Sequence, residues 1–289
     1  MLTTHLVIAL VALVVIGGAT RVMEAGLACP DWPLCYGAFL PGRQMNMQVF
    51  LEWFHRLDAF LVGLALLSLL ALSLWGRCKL PSWLPWVSGL AVGLVVLQGI
   101  LGALTVTGLL ASSTVTAHLA TALLLVLVIS ALDQGLAGEE PSGPLPPWWF
   151  PLPVISTALV LTQCVIGASM ASQWAVDQCF SSGELCGWVL RHRQFAGAAS
   201  LSVFALAVSA VLLIRSDVPI RALALSAAAL VAFQVTLGVL TLRAQLHLPS
   251  LTIAHQLVAA LLMAHLGALC GRTLRAWRPA SSSMEVSCG

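Results

Sequence analysis

The strongest constraint in this chain is a stretch of fifty-three residues, 80–132, that contains no Asp, Glu, Lys or Arg. At about 1.5 Å per helical residue, such a stretch is long enough to cross a hydrocarbon core of about 30 Å twice. The chain must therefore turn within the stretch, and the polar sequence Ser112-Ser113-Thr114 is the predicted turn. The stretch predicts a helical hairpin inside a membrane.

The composition extends this prediction to the whole chain. Only 8% of the residues are charged and 60% are hydrophobic, and the mean hydropathy is +0.98. A water-facing surface cannot be built from so few charges, and a net charge of +2 with scattered basic residues excludes an electrostatic nucleic-acid binder. We predict an all-α integral membrane protein with eight transmembrane helices. The predicted spans are 3–22, 49–74, 85–107, 114–133, 151–172, 189–214, 220–242 and 251–271.

The loops indicate how the chain is oriented in the membrane. Eight spans place both termini on one side, and most basic loop residues lie on that side. The short N-terminus carries neither a cleavable signal nor a mitochondrial-type presequence, which favours a bacterial protein. We therefore expect a bacterial plasma-membrane protein with both termini in the cytoplasm. The basic residues on the terminal side are Arg77, Lys79, Arg215, Arg221, Arg272, Arg275 and Arg278.

An internal repeat divides the chain into two halves. The pattern Gln-x-x-Leu-Gly-x-Leu-Thr begins at Gln98 and again at Gln234, each time in the third span of a set of four. An even number of spans per half keeps the membrane orientation of the repeat, so two pseudo-symmetric four-helix bundles are expected. The predicted divisions are the bundles 1–133 and 151–272, a cytoplasmic linker 134–150 and a cytoplasmic tail 273–289.

Four histidines follow the same repeat, and all four are predicted to lie near the outer ends of their helices. A lone intramembrane histidine is usually explained by an interhelical hydrogen bond, but two equivalent pairs favour metal ligation. Two imidazoles leave a zinc site two ligands short, whereas haem needs only two axial ligands. Each half is therefore predicted to hold one haem without covalent attachment, since no Cys-x-x-Cys-His sequence occurs. The predicted pairs are His55 with His118 and His192 with His255.

Charged residues next to these histidines suggest further roles. Arg56 and Arg193 each follow a histidine and are predicted to contact haem propionates, although basic side chains also reach towards the interface without any ligand. His247, in the loop before the last span, is close enough to the predicted haem layer for a propionate contact.

Glu52 distinguishes the first half from the second. It precedes His55 by three residues and so shares its helix face, whereas Val189 occupies the equivalent place before His192. A carboxylate inside a membrane is costly, and its presence in only one half predicts a functional acid. The alternative is an interfacial glutamate that pairs with an arginine or with the helix N-terminus.

Two close cysteine pairs lie in loops that are predicted to face outwards. Short loops in an oxidising compartment favour disulfides, and the alternative is a zinc site, for which one pair supplies only two ligands. The predicted bridges are Cys29 with Cys35 and Cys179 with Cys186.

Several of these motifs together resemble the COX15/CtaA family of haem A synthases. The resemblance covers essentially the whole chain, and the combination of the cysteine loop with the Glu-x-x-His-Arg helix is highly specific. The motifs are Glu52-Trp53-Phe54-His55-Arg56, Gly26-x-x-Cys29-Pro30-Asp31-Trp32-Pro33-x-Cys35, Gln98-x-x-Leu101-Gly102, Ala117-His118 and Ala254-His255.

The resemblance implies oxidation of a methyl group of haem O to the formyl group of haem A, which haem-copper cytochrome oxidases use. It implies that His55 and His118 hold the substrate haem beside the catalytic Glu52. It further implies that His192 and His255 hold a haem b cofactor. Haem O synthase, cytochrome oxidase assembly proteins and membrane lipid are the candidate partners, and a homo-oligomer is compatible with the resemblance.

Two other function classes fit the same four histidines. A diheme b-type membrane electron-transfer protein would use both haems without converting either of them, and it would not require Glu52. A haem-delivery scaffold would bind haem reversibly and would use its outer loops for docking.

Overall fold

The computed structural model describes residues 1–137, 145–172, 187–214 and 216–277. These residues contain eight helices that are long and apolar enough to cross a membrane, which confirms the predicted all-helical membrane architecture. Short 3-10 helices at Gly42–Gln44 and Pro147–Trp149 precede α2 and α5. The eight helices are α1 (Leu2–Val22), α2 (Met47–Trp75), α3 (Leu84–Thr107), α4 (Ser112–Leu136), α5 (Pro151–Ser172), α6 (Gly187–Leu213), α7 (Val218–Arg243) and α8 (Pro249–Trp277).

The turn of the charge-free hairpin lies earlier than predicted. It occupies residues 108–111, and Ser112-Ser113-Thr114 instead form the first turn of α4. The reason is local hydrogen bonding, because the Thr114 hydroxyl donates to the carbonyl of Ala111 (2.8 Å) at the helix start. Short hydroxyl side chains favour helix N-termini for the same reason that they favour turns.

The repeat is also visible in the turns that follow α3 and α7. Leu109 and Leu110 both have positive φ (49° and 61°), and Gln245 and Leu246 repeat this geometry (48° and 60°). Although non-glycine residues rarely adopt such angles, the backbone N–H of the second residue in each turn is satisfied. Those of Leu110 and Leu246 donate to the carbonyls of the two threonines that end the repeated motif, Thr105 (2.8 Å) and Thr241 (3.1 Å).

The same order of neighbours occurs in each set of four helices. In the first set α1 packs on α2, α2 on α3, α3 on α4, and α4 closes the ring on α1. The helices α5 to α8 repeat this order, and the two sets meet where α8 packs on α1 and α4 and where α4 packs on α5. As a result, α2 lies across a ring from α4, and α6 lies across a ring from α8. The pseudo-symmetric relation and the proposed domain divisions stay predictions.

The α4–α8 contact depends on small residues. A Cβ atom built on Gly267 would lie 2.6 Å from the carbonyl oxygen of Leu127, and Gly271 meets the Ala131 carbonyl even more closely. Glycines four residues apart are a common way for membrane helices to approach backbone to backbone. This close approach holds the two sets of helices together.

A buried ion pair links the C-terminal part of α8 to the start of α7. Asp217 accepts from the backbone N–H of Ile220 (3.0 Å) at the start of α7, and Arg272 on α8 donates to the same carboxylate (2.9 Å). Asp217 is 1% exposed and Arg272 is 2% exposed. Removal of one partner of a buried pair leaves the other charge buried and unpaired, which lowers the free energy of unfolding by about 3–5 kcal/mol.

Replacement of Gly267 by leucine should lower the free energy of unfolding by about 1–3 kcal/mol, because the side chain has no room against α4. Gly93→Leu is the matched control, since a Cβ at Gly93 meets no described atom within 4 Å. Thermal unfolding in detergent would measure both variants. Equal stability of the two would contradict the close α4–α8 contact.

Candidate functional site

The two histidines of the first pair lie on opposite sides of the four-helix ring formed by α1 to α4. His55 on α2 and His118 on α4 have ring centroids 6.5 Å apart, with planes inclined at 79°. With metal–imidazole bonds of about 2 Å, two rings on opposite sides of one metal have centroids about 6 Å apart. The Nδ1 atoms of both rings are buried and have no hydrogen-bond partner in the described part of the chain. The spacing of the two rings is therefore close to that of two ligands on opposite sides of one metal.

The second pair occupies the equivalent helices of the other ring. His192 lies on α6 and His255 on α8, and both imidazoles contact glutamine amides. Gln163 Nε2 lies 3.0 Å from His192 Nδ1, and Gln234 Nε2 lies 3.2 Å from His255 Nε2. These amides come from the helices that precede each histidine in the chain.

A glycine of the preceding helix faces each of the four imidazoles. A Cβ at these positions would lie between 2.8 and 3.5 Å from the Cε1 atom of the ring. Sequence reasoning recorded two of these glycines only as members of the repeat and missed the other two. Their common signal is a small residue on each odd-numbered helix. The facing pairs are Gly17 with His55, Gly102 with His118, Gly167 with His192 and Gly238 with His255.

The histidines meet in pairs rather than in larger clusters. Among residues 1–137, 145–172, 187–214 and 216–277, no three His, Cys, Asp or Glu side chains form a group that could hold a metal ion. Pairs suit a metal that brings its own equatorial ligands, as the iron of a porphyrin does. The donor set therefore fits haem better than it fits zinc.

Each of the other three histidines has its ring beside a backbone carbonyl three or four residues earlier in the chain. His5 Nδ1 lies 2.6 Å from the carbonyl of Met1, and His265 Nδ1 lies 2.8 Å from that of Leu261. His247 makes a longer contact of 3.2 Å with the Ala244 carbonyl. These local hydrogen bonds separate the three from the four facing histidines.

Glu52 is buried (4% exposed) and has two charge-stabilising partners. One carboxylate oxygen accepts from the backbone N–H of Cys29 (2.7 Å), and the other accepts from the Arg56 guanidinium (2.5 Å). The arginine pairing that was the alternative explanation of Glu52 is therefore present, one helical turn along α2. Val189 supplies no such group at the equivalent place on α6.

Arg56 anchors the loop between α1 and α2. Its guanidinium also donates to the carbonyl oxygens of Asp31 (2.6 Å), Leu34 (2.5 Å) and Cys29 (3.5 Å). The hydrogen bonds of Arg56 therefore go to protein acceptors, and the propionate contact stays a prediction. Arg193 on α6 is exposed.

The loop itself is closed by covalent and polar contacts. A disulfide joins Cys29 to Cys35, as predicted, and the Asp31 carboxylate accepts from the backbone N–H groups of Tyr36 (2.6 Å) and Gly37 (2.7 Å). The hydrogen bond from Gly37, followed by that from Tyr36, holds the pKa of Asp31 below its usual value. The predicted Cys179–Cys186 bridge lies outside the described residues.

Comparison with known proteins relates the chain to haem metabolism. The model of the COX15-CtaA family, described as cytochrome oxidase assembly protein, matches residues 1–266. The haem A synthase of Staphylococcus saprophyticus is 27% identical over 272 residues, covering 88% of each chain. That of Rhizorhabdus wittichii is 28% identical over 321 aligned positions, again covering 88% of each chain. A protohaem IX farnesyltransferase of Thermus thermophilus is 34% identical over 90 residues, which cover 30% of this chain and 14% of that protein.

Gly167→Ala should disturb a haem that His192 and His255 hold, because the new Cβ would lie 2.8 Å from His192 Cε1 and push the ring aside. The expected result is an altered absorption spectrum or a reduced content of that haem, with unfolding temperature nearly unchanged, since a ring can move more easily than a backbone. Gly99→Ala, where a Cβ meets nothing within 4 Å, is the control. An unchanged spectrum in Gly167→Ala would show that the glycine contact has no part in ligation.

Proposed function

Because the chain belongs to the COX15-CtaA family of cytochrome oxidase assembly proteins, we propose that it is a haem A synthase that oxidises a methyl group of haem O to the formyl group of haem A. The haem A synthases to which it is similar align with most of its length, which supports the proposal. The observation that carries it is Glu52, a buried carboxylate one turn from His55 that the second set of helices lacks.

In this proposal His55 and His118 hold the substrate haem, and His192 and His255 hold a haem b cofactor. The facing imidazoles, 6.5 Å apart in the first pair, support this assignment. Conversion of a methyl to a formyl group removes four electrons, and bound haem supplies the redox capacity that protein side chains lack. The protein contributes the ligands, the apolar surroundings and the handling of protons.

Glu52 is the residue that takes up protons released from the substrate methyl group. Its carboxylate accepts hydrogen bonds from Arg56 and from the Cys29 N–H. The same contacts hold the carboxylate at a fixed place on the face of α2 that carries His55. A positioned base of this kind contributes to catalysis through proton transfer.

We place the protein in a bacterial plasma membrane with both termini in the cytoplasm. The Cys29–Cys35 disulfide supports an outward position for the α1–α2 loop, since disulfides persist in oxidising compartments. The proposed partners are haem O synthase and cytochrome oxidase assembly proteins. The segment shared with a protohaem IX farnesyltransferase supports the first of these, because haem O is a farnesylated haem.

Glu52→Gln removes the ionisable group while keeping the shape of the side chain and part of its hydrogen bonding. The variant should fold and keep haem b, yet accumulate haem O or a partly oxidised alcohol. General-base catalysis contributes about 10²–10⁴-fold, so haem A should fall at least about tenfold even with residual activity. The measurement is chromatography with mass detection of haems extracted after expression with a haem O supply.

Glu24→Gln is the matched control, since Glu24 is exposed on the same side of the protein, at the end of α1. It should leave haem A at the wild-type level. Wild-type amounts of haem A from Glu52→Gln would overturn the catalytic role. Absence of haem A from the wild type, with both haems bound, would instead favour a diheme electron-transfer protein or a haem-delivery scaffold.

A further inference from the structure

A second acidic residue distinguishes the first set of helices, and the proposed proton transfer does not use it. Asp58 follows His55 by three residues on α2, whereas Phe195 stands at that distance from His192 on α6. Asp58 is the twelfth of the 29 residues of α2, so it lies well inside the membrane-spanning segment. A carboxyl group at such a depth is costly and points to a function.

The described part of the protein supplies no partner for this carboxyl group. Asp58 is half-buried, and no described residue donates a hydrogen bond to it or forms an ion pair with it. Glu52, by contrast, is held by Arg56 and by the Cys29 N–H. An acceptor removed from water needs a replacement donor, so Asp58 is suited to a donor that a ligand brings.

Asp58 and Glu52 lie on either side of His55 along α2. Asp58 shares the helix face of His55, and Val62, one turn further along, is 3% exposed. The six residues between the two acids correspond to about 9 Å of helix. One molecule bound by His55 can therefore meet both carboxyl groups through different substituents.

The second set shows what the position three residues after the histidine borders. Phe195 lines an open cavity of about 350 Å³ together with Ile166 of α5. Ile166 directly precedes Gly167, on which a Cβ would lie 2.8 Å from His192 Cε1. A side chain at this position therefore lies near the space beside a ligand histidine.

The substrate of the proposed function carries a suitable donor. Haem O differs from haem b by a farnesyl chain, which joins the porphyrin through a carbon atom that bears a hydroxyl group. A hydroxyl group can donate to a carboxyl oxygen whether or not the carboxyl group is ionised. Haem b has a vinyl group at this place and offers no donor, and the apolar Phe195 offers no acceptor.

We propose that Asp58 accepts a hydrogen bond from the hydroxyl group of the farnesyl chain and thereby selects haem O over haem b at His55 and His118. The apolar residue at the matched position suits the second set to haem b. This inference rests on the proposed function, in which one protein must place two different haems in two similar sites.

The size of the selection follows from the cost of an unpaired polar group. Asp58→Leu keeps the approximate size of the side chain but leaves the hydroxyl group of bound haem O without its acceptor. Such a loss weakens binding by about 10–100-fold. Haem b should bind this variant as well as it binds the wild type, because its vinyl group makes no hydrogen bond.

Competition between the two haems tests the proposal on the full-length protein, purified in detergent after expression without haem O. The protein is incubated with mixtures of haem O and haem b, and the bound haems are extracted and identified by chromatography with mass detection. Haem O and its oxidation products are counted together, since all of them keep the hydroxyfarnesyl chain. The result is the ratio of haem O to haem b that gives half-maximal loading with these haems.

Asp58→Leu should raise this ratio about 10–100-fold above that of the wild type. Ser68→Leu is the matched control, because it also removes a polar side chain from α2, at an exposed position where the hydroxyl donates to the Leu64 carbonyl (2.8 Å). It should keep the wild-type ratio. Asp58→Asn keeps an acceptor oxygen and should give a ratio between those of the wild type and Asp58→Leu.

The methyl ether of haem O separates the hydrogen bond from packing, and it can be tested on the wild type alone. Its oxygen cannot donate, so the wild type should bind it about 10–100-fold more weakly than haem O. Asp58→Leu should bind the two haems about equally. A penalty that came only from the size of the added methyl group would persist in Asp58→Leu.

An unchanged ratio in Asp58→Leu would overturn the proposal, as would a wild type that binds haem O and its methyl ether equally well. Neither outcome depends on methyl oxidation. A wild type that forms no haem A, with selection for haem O still lost in Asp58→Leu, would reject the proposed function and leave this inference standing.

Discussion

Lipid offers no hydrogen-bond partners, so every polar side chain in these apolar helices must find one within the protein. Glu52 meets this requirement with Arg56 and a loop N–H, and Asp217 meets it with Arg272 and the start of α7. The exceptions in the described chain include the buried Nδ1 atoms of His55, His118 and His255.

The glycines that face these rings couple the packing of the helices to the positions of the histidines. On α1, Gly17 faces His55, while a Cβ on the adjacent Gly18 would collide with the side chain of Gln256 from α8. Gln256 follows His255 directly, and its amide lies 3.4 Å from the Val14 carbonyl. A single turn of α1 therefore touches the ligand helices of both pairs. A shift of α1 that opened space beside His55 would therefore also change the contact between α1 and α8.

Much of this organisation could be predicted because charge and hydropathy report directly on lipid. The eight spans follow from where charges are missing, and the Cys29–Cys35 bridge follows from the close spacing of its cysteines. The repeat follows from the motif that begins at Gln98 and again at Gln234. The turn after α3 was misplaced, because hydroxyl residues that favour turns also begin helices. α8 also continues past the predicted end at residue 271 to Trp277.

The contacts of individual side chains were harder to predict. A glycine in an apolar helix carries no sign of the residue that it faces, so Gly17 and Gly167 went unnoticed. The hydrogen bonds of Arg56 to loop carbonyls could not be predicted, because only the folded loop brings these carbonyls together. Sequence spacing places residues on a helix face, but it does not show which loop will fold over them.

The position of the Glu52 carboxylate depends on that loop. Arg56 lies at once against the carboxylate of Glu52 and against the carbonyls of Asp31 and Leu34, while the Cys29 N–H completes the site. The disulfide and the Asp31 turn keep these carbonyls in place, and opening the loop would remove the Cys29 donor together with the acceptors that orient Arg56. The outer loop thus holds the Glu52 carboxylate at a fixed place on the face of α2 that carries His55.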